Sequence, residues 1–170
     1  MRLFLSCLID WTTLAPCWKT VATSTSSSVS IPLGYRQYRI RLFGYKSSSN
    51  SWGVITCSTA TNTTYIYVQG VSAGSWVQSE RSLAASSDKA VMDGARSATS
   101  SGYQSWDITI DRPTSSSTAI NAMWQTATTG SLTYNTGRSS FTLSSGSGNM
   151  TLTSELSTNA KWVVEALVES

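Results

Sequence analysis

Hydrophobic and polar residues alternate with a period of two along most of the chain, and no stretch of convincing length carries the 3.6-residue period of a helix. From Tyr35 to Phe43 the run YRQYRIRLF sets Tyr38, Ile40 and Leu42 on one face and Arg39 and Arg41 on the other. That is the pattern of a strand with one buried and one wetted face. The same alternation predicts strands over Trp52 to Cys57, Thr64 to Gln69, Tyr103 to Ile110, Ala119 to Thr126, Ser139 to Leu143, Asn149 to Thr153 and Ala160 to Val168. Two more are expected in CWKTVAT and SVSIPL, on either side of the Ser run at 26–28.

Turn-forming clusters separate these segments at 47–51, 112–117, 128–130 and 144–149. Ten or so short strands at this spacing, with no helices between them, predict an all-β fold: an antiparallel β-sandwich, jelly-roll-like. Residues 17–170 form that domain, and residues 1–16, ending at Pro16, form a short N-terminal arm. The segment from Ser79 to Ser101 has no clean period and reads as a long loop with a helical turn.

Composition strengthens the β reading. The chain holds 33 Ser and 23 Thr, about a third of its 170 residues, with only 12% charged residues. Thr, Val, Ile, Tyr and Trp suit a pleated, half-buried surface. Disorder would be the competing reading of such a sequence, but 7 Trp, 7 Tyr and 3 Phe spread along its length supply a core; only the Ser runs look flexible. The net charge of +3 is modest and the Arg36, Arg39, Arg41 and Lys46 cluster stands alone, so nucleic-acid binding is not expected. The apolar run Leu3 to Ile9 is too short to cross a membrane, and no membrane insertion is expected. Cys7, Cys17 and Cys57 have no metal-ligand spacing; a Cys7–Cys17 bridge is one option, and free buried thiols are the expected state.

The chain has no histidine, which removes Ser-His, Cys-His and His-metal chemistry together. Asp107 and Asp111 lie four apart, roughly 13 Å along a strand, whereas paired glycosidase carboxyls need about 5 to 9.5 Å. Asp88 and Asp93 lack the ladder of oxygen ligands that calcium needs. No catalytic residue, metal or cofactor is therefore expected.

Aromatic residues remain as candidate contacts, and alternation sorts them. Trp106, Trp124 and Trp162 fall in register with Ile108 and Ile110, with Ile120 and Ala122, and with Val164 and Ala166, so they belong to the core; Trp52 with Val54 reads the same way. Tyr65 and Tyr67 fall opposite Ile66 and Val68, Tyr103 falls off the Trp106 face, and Trp76 sits in a Gly/Ser-rich stretch. These four are the candidate surface for a glycan or a protein partner. Leu3, Phe4, Leu5, Leu8, Ile9, Trp11 and Trp18 form an apolar set that a monomer would leave uncovered, and they are expected to anchor the chain on a neighbouring subunit.

The layout resembles a group of bacteriophage tail-fibre and virion β-sandwich domains. The matching features are a Trp entering a Ser/Thr-rich first strand (Trp18-Lys19-Thr20-Val21-Ala22-Thr23), a Ser spacer, Ile31-Pro32-Leu33-Gly34-Tyr35, and the strand Tyr38-Arg39-Ile40-Arg41-Leu42. Late in the chain, Phe141-Thr142-Leu143, the turn Ser147-Gly148-Asn149 and the closing strand with Trp162 resemble the hairpin of the same group. The resemblance implies a structural protein of the virion, in a tail fibre, tail tip or capsid decoration. It implies other virion proteins as partners, a homo-oligomer with a trimer favoured, and a host-surface glycan as a further partner.

Overall fold

The computed structural model describes residues 16–46, 54–70, 76–84, 90–92, 102–128, 133–156 and 159–168; of 62–70 and 76–84 it describes the backbone alone. Among the described residues, twelve strands are formed. They are β1 (Cys17–Ser24), β2 (Ser28–Pro32), β3 (Gln37–Lys46), β4 (Ile55–Cys57), β5 (Ala60–Gly70), β6 (Trp76–Ala84), β7 (Ala90–Met92), β8 (Gly102–Asp111), β9 (Ala119–Thr128), β10 (Thr133–Leu143), β11 (Asn149–Ser154) and β12 (Lys161–Val168). Each alternating segment within the described residues lies in a strand. Two parts of the stretch expected as a long loop, Ser79–Ala84 and Ala90–Met92, lie in strands, β6 and β7, and Trp76 opens β6 instead of sitting in a loop.

The strands form two antiparallel sheets, ordered β1-β12-β3-β8-β9-β10-β5-β6 and β2-β11-β4-β7. The fold is a β-sandwich. Between β2 and β8 the chain crosses from the small sheet to the large one and back: β2 small, β3 large, β4 small, β5 and β6 large, β7 small, β8 large. The hairpin β9–β10 then extends the large sheet before β11 returns to the small one.

The inward positions of both sheets make the core. Tyr38, Ile40 and Leu42 of β3, Trp106, Ile108 and Ile110 of β8, Ile120, Ala122 and Trp124 of β9, and Trp162, Val164 and Ala166 of β12 are all buried, facing Val29, Ile31, Ile55, Met92, Met150 and Leu152 of the small sheet. Each buried Trp takes about 150–250 Å² out of water, the largest single contributions available to a core of this size. Their polar ends are catered for: Trp162 Nε1 donates to the Ser26 carbonyl at 3.1 Å and Trp106 Nε1 to Gln104 Oε1 at 3.4 Å. The Trp124 ring needs space, and Gly137, directly across from it on β10, provides that space: a Cβ there would stand 2.2 Å from the ring.

The Ser run at 26–28, expected to be flexible, sits in a hydrogen-bonded corner. Ser24 Oγ donates to the Ser28 carbonyl at 2.6 Å, and the Ser27 carbonyl accepts from the Ser154 N–H at 2.8 Å. Hydroxyls close to the backbone supply bonds that neighbouring strands cannot reach at a corner. The expectation of free thiols holds for Cys57, which is buried and free, and not for Cys17, which is disulfide-bonded. The interior also holds polar side chains along β8, β9 and β10. Gln104, Thr126, Asn135 and Ser139 are buried, and Gln104 Nε2, Thr126 Oγ1, both amide atoms of Asn135 and Ser139 Oγ have no hydrogen-bond partner.

Candidate functional site

With one face of the eight-stranded sheet buried against the smaller sheet, its other face meets solvent. The register lays the outward side chains of this face in rows that cross the strands. One row runs Glu165, Arg39, Thr109, Met123 and Arg138; the next runs Val163, Arg41, Asp107, Gln125 and Thr136. Then come Lys161, Phe43 and Ser105, and finally Tyr45 opposite Tyr103.

The first two rows, apart from Val163, border a trough of about 860 Å³. Ile40, Ile108, Trp124 and Gly137 also border it while belonging to the core side, so its floor is main chain. Three arginines and two carboxylates share this trough, and opposite charges are close: Arg41 Nη2 lies 3.6 Å from Glu165 Oε2. That pair is half exposed and contributes at most about 1 kcal/mol to the fold, so it matters more for complementarity than for stability. Arg39 is held differently, with its guanidinium carbon 4.0 Å from the ring centroid of Trp18. A cation over an indole keeps both an apolar and a charged surface on display.

Among the described residues, the exposed large hydrophobics are Phe43 (47%), Met123 (50%) and Tyr103 (64%), and the register puts all three on this face. Tyr103 packs its ring edge-on to Tyr45 at 5.4 Å between centroids, at the end of the face.

The sequence-derived candidates fall in several places. Tyr103 is exposed on the outer face. Tyr65 and Tyr67 lie in β5, opposite Ser139 and Gly137 of β10, and Trp76 begins β6 opposite Gly70; their side chains lie outside the described residues. Trp18 stands on β1 beneath Arg39, half-buried at the side of the outer face. Leu3, Phe4, Leu5, Leu8, Ile9 and Trp11 lie outside the described residues. Phe43 and Met123 were not among the sequence candidates, although the alternation that turns Arg39 and Arg41 outward also turns Phe43 outward.

Asp107 and Glu165 sit on strands separated by β3, with Arg41 between them, so about two strand spacings, roughly 10 Å, keep them from sharing a proton or a substrate bond. Among the described residues, no group of three or more His, Cys, Asp or Glu side chains is placed to hold a metal ion, and no helix is long and apolar enough to cross a membrane. No protein-family model, curated protein or solved structure matches this chain.

Proposed function

We propose that this chain is a non-catalytic structural protein of a bacteriophage particle, assembling into homo-oligomers and with other virion proteins through the outer face of its large sheet. The observation that carries this reading is the exposure of Phe43, Met123 and Tyr103 on one face, with Met123 at the border of a trough of mixed charge. A patch holding both signs is self-complementary, which suits contact between identical subunits.

Two further features support it. With the hairpin β9–β10 set aside, β3-β8-β5-β6 packed on β2-β11-β4-β7 has the interleaving of an eight-stranded jelly roll, an architecture of capsid and lectin domains. The disulfide at Cys17 suits a protein that spends its working life outside a reducing cytoplasm, as a virion surface protein does. In this reading the arm, residues 1–16, anchors the subunit. Particles grown with a chain lacking residues 1–16 are expected to lose the protein; normal incorporation of the truncated chain would remove the anchoring role.

The exposed Tyr103, packed edge-on to Tyr45, favours a second reading, a sugar-binding face, because a rigid amphipathic ring suits the apolar side of a pyranose. A glycan array separates the two: loss of a specific signal in Tyr103→Ala would support glycan recognition, and no signal with the wild type would exclude it.

A further inference from the structure

Arg112 is the one buried charged side chain among the described residues, at 5% exposure. It follows β8 and opens the turn 112–118. Its Nε and Nη2 donate to the Ser117 carbonyl, its Nη1 donates to the Tyr35 carbonyl at 3.1 Å, and its own N–H donates to the Arg36 carbonyl at 2.8 Å. The guanidinium thus ties the β8–β9 turn to the approach to β3. The Tyr38 hydroxyl lies beside it, held by the Tyr35 N–H and the Pro32 carbonyl.

None of these partners carries a negative charge. No carboxylate among the described residues is ion-paired with Arg112. A buried cation held only by carbonyls and a phenol keeps a large part of its desolvation cost. A guanidinium also has five N–H groups, and the bonds to Ser117 and Tyr35 engage three of them.

The same side chain borders a hollow of about 290 Å³ at this end of the sandwich. One wall is the turn Ser115, Ser116, Ser117 and Thr118, and the other is the turn Ser144 to Gly148 between β10 and β11. Gly146 allows the second turn through its φ of +83°, a conformation that other residues adopt at a cost. A Cβ at Gly146 or Gly148 would meet nothing within 4 Å, so that wall is open to solvent. The hollow therefore combines a buried guanidinium that no carboxylate among the described residues neutralises with a rim of hydroxyls, beside Leu33 and Leu143. That is the chemistry of an oxyanion receptor: the Nε/Nη2 fork is held by the Ser117 carbonyl, so the cation offers its charge and its remaining N–H groups, and hydroxyls such as those of Ser115, Thr118 and Ser147 meet the other oxygens. Its volume lies at the lower limit of small-molecule sites, enough for one tetrahedral ion or one sugar ring.

We propose that this hollow binds a small oxyanion, a sulfate, a phosphate or the carboxylate of an acidic sugar, between Arg112 and the hydroxyls of the two turns. The site lies apart from the outer-face trough, shares no lining residue with it, and stands whether or not that trough serves assembly.

Titration calorimetry on the full chain tests this, with sodium sulfate, inorganic phosphate, glucuronate and neutral glucose compared at fixed ionic strength. Sulfate stabilises most folds without binding, so the readout is saturable heat and not melting temperature. Saturable binding of at least one oxyanion, in the millimolar range or tighter and without a glucose signal, is expected. Binding of the inorganic ions alone points to free or esterified phosphate or sulfate as the source, and stronger binding of glucuronate points to an acidic saccharide. Arg112→Gln removes the cation but also three carbonyl bonds, so a second variant keeps the test clean. Ser116→Glu places a carboxylate on the exposed rim and should weaken binding about tenfold, equivalent to about 1.4 kcal/mol, with the fold intact. No saturable heat up to tens of millimolar for any oxyanion, or equal binding by Ser116→Glu, would overturn the proposal.

Discussion

The pairing of Gly137 with Trp124 makes a prediction that can be worked from the coordinates. Gly137→Ala adds one methyl group on the core side of β10, where Cζ2, Cε2 and Cη2 of the ring would lie 2.2, 2.5 and 2.8 Å away. Ordinary carbon contacts are about 3.5–4.0 Å, so the ring or the strand must move by more than an ångström. Trp124 is 1% exposed, so its ring has little room to yield toward the core. Overpacking of this kind costs about 1–3 kcal/mol, and relief of the glycine's unfolded-state entropy returns about 0.5–1 kcal/mol. The net loss should be about 1–2 kcal/mol, or roughly 3–8 °C in Tm for a chain of this length. Urea denaturation followed by Trp fluorescence would measure it. The double variant Gly137→Ala/Trp124→Leu should lose less than the sum of the two single changes, because the methyl group then occupies space the indole has left. A neutral or stabilising Gly137→Ala, or strict additivity, would show that the ring does not rest on the glycine.

Other outcomes follow from the polar interior. Thr126→Val keeps the shape of the side chain and removes a buried hydroxyl without a partner, so it should raise stability by about 1 kcal/mol in thermal melts; a fall would mean that the hydroxyl is satisfied in solution. The Tyr38 phenol is pushed above its ordinary value, chiefly by burial and against the opposing effect of its backbone bond to Tyr35 and the nearby Arg112. The folded state thus holds the phenol proton more tightly than the unfolded state does. Its contribution is fully present below the ordinary phenol value of about 10 and declines as pH rises above it. Denaturation midpoints should therefore drop more steeply above that pH in the wild type than in Tyr38→Phe, which should itself lose about 1–2 kcal/mol at neutral pH with its two hydrogen bonds. Parallel slopes would contradict the assignment.

Much of the fold was legible because alternation records burial one residue at a time. Tyr38-Arg39-Ile40-Arg41-Leu42, Trp106 with Ile108 and Ile110, and Trp162 with Val164 and Ala166 read correctly, since one face of each strand meets the opposite sheet and the other meets water. Strand β6 did not read, and the reason is its place at the edge of the large sheet: SERSLA has no period of its own, and its strand is defined by the ladder it makes with β5. The sheet order was likewise out of reach, because pairings such as β10 with β5 join residues far apart in the chain.

The candidate site shows the same division. Tyr103 was legible as a residue off the buried face. The role of Arg112 was not, since a lone Arg before a Pro in a turn gains its meaning from the Tyr35 carbonyl, 77 residues earlier. Phe43 was legible in principle, because it continues the outward series of Arg39 and Arg41, but a hydrophobic residue next to Leu42 does not by itself say which of the two faces the core.

The central claim is that the outer face of the large sheet is an assembly surface, and the mass of the particle it forms in solution tests this most directly. Light scattering on the full chain should give a multiple of its 18.3 kDa, with a trimer favoured. The double variant Phe43→Glu/Met123→Glu should give the single-chain mass with little change in melting temperature, because both side chains are about half exposed. A wild type that stays monomeric at high concentration, or a double variant that keeps the oligomeric mass, would contradict the account.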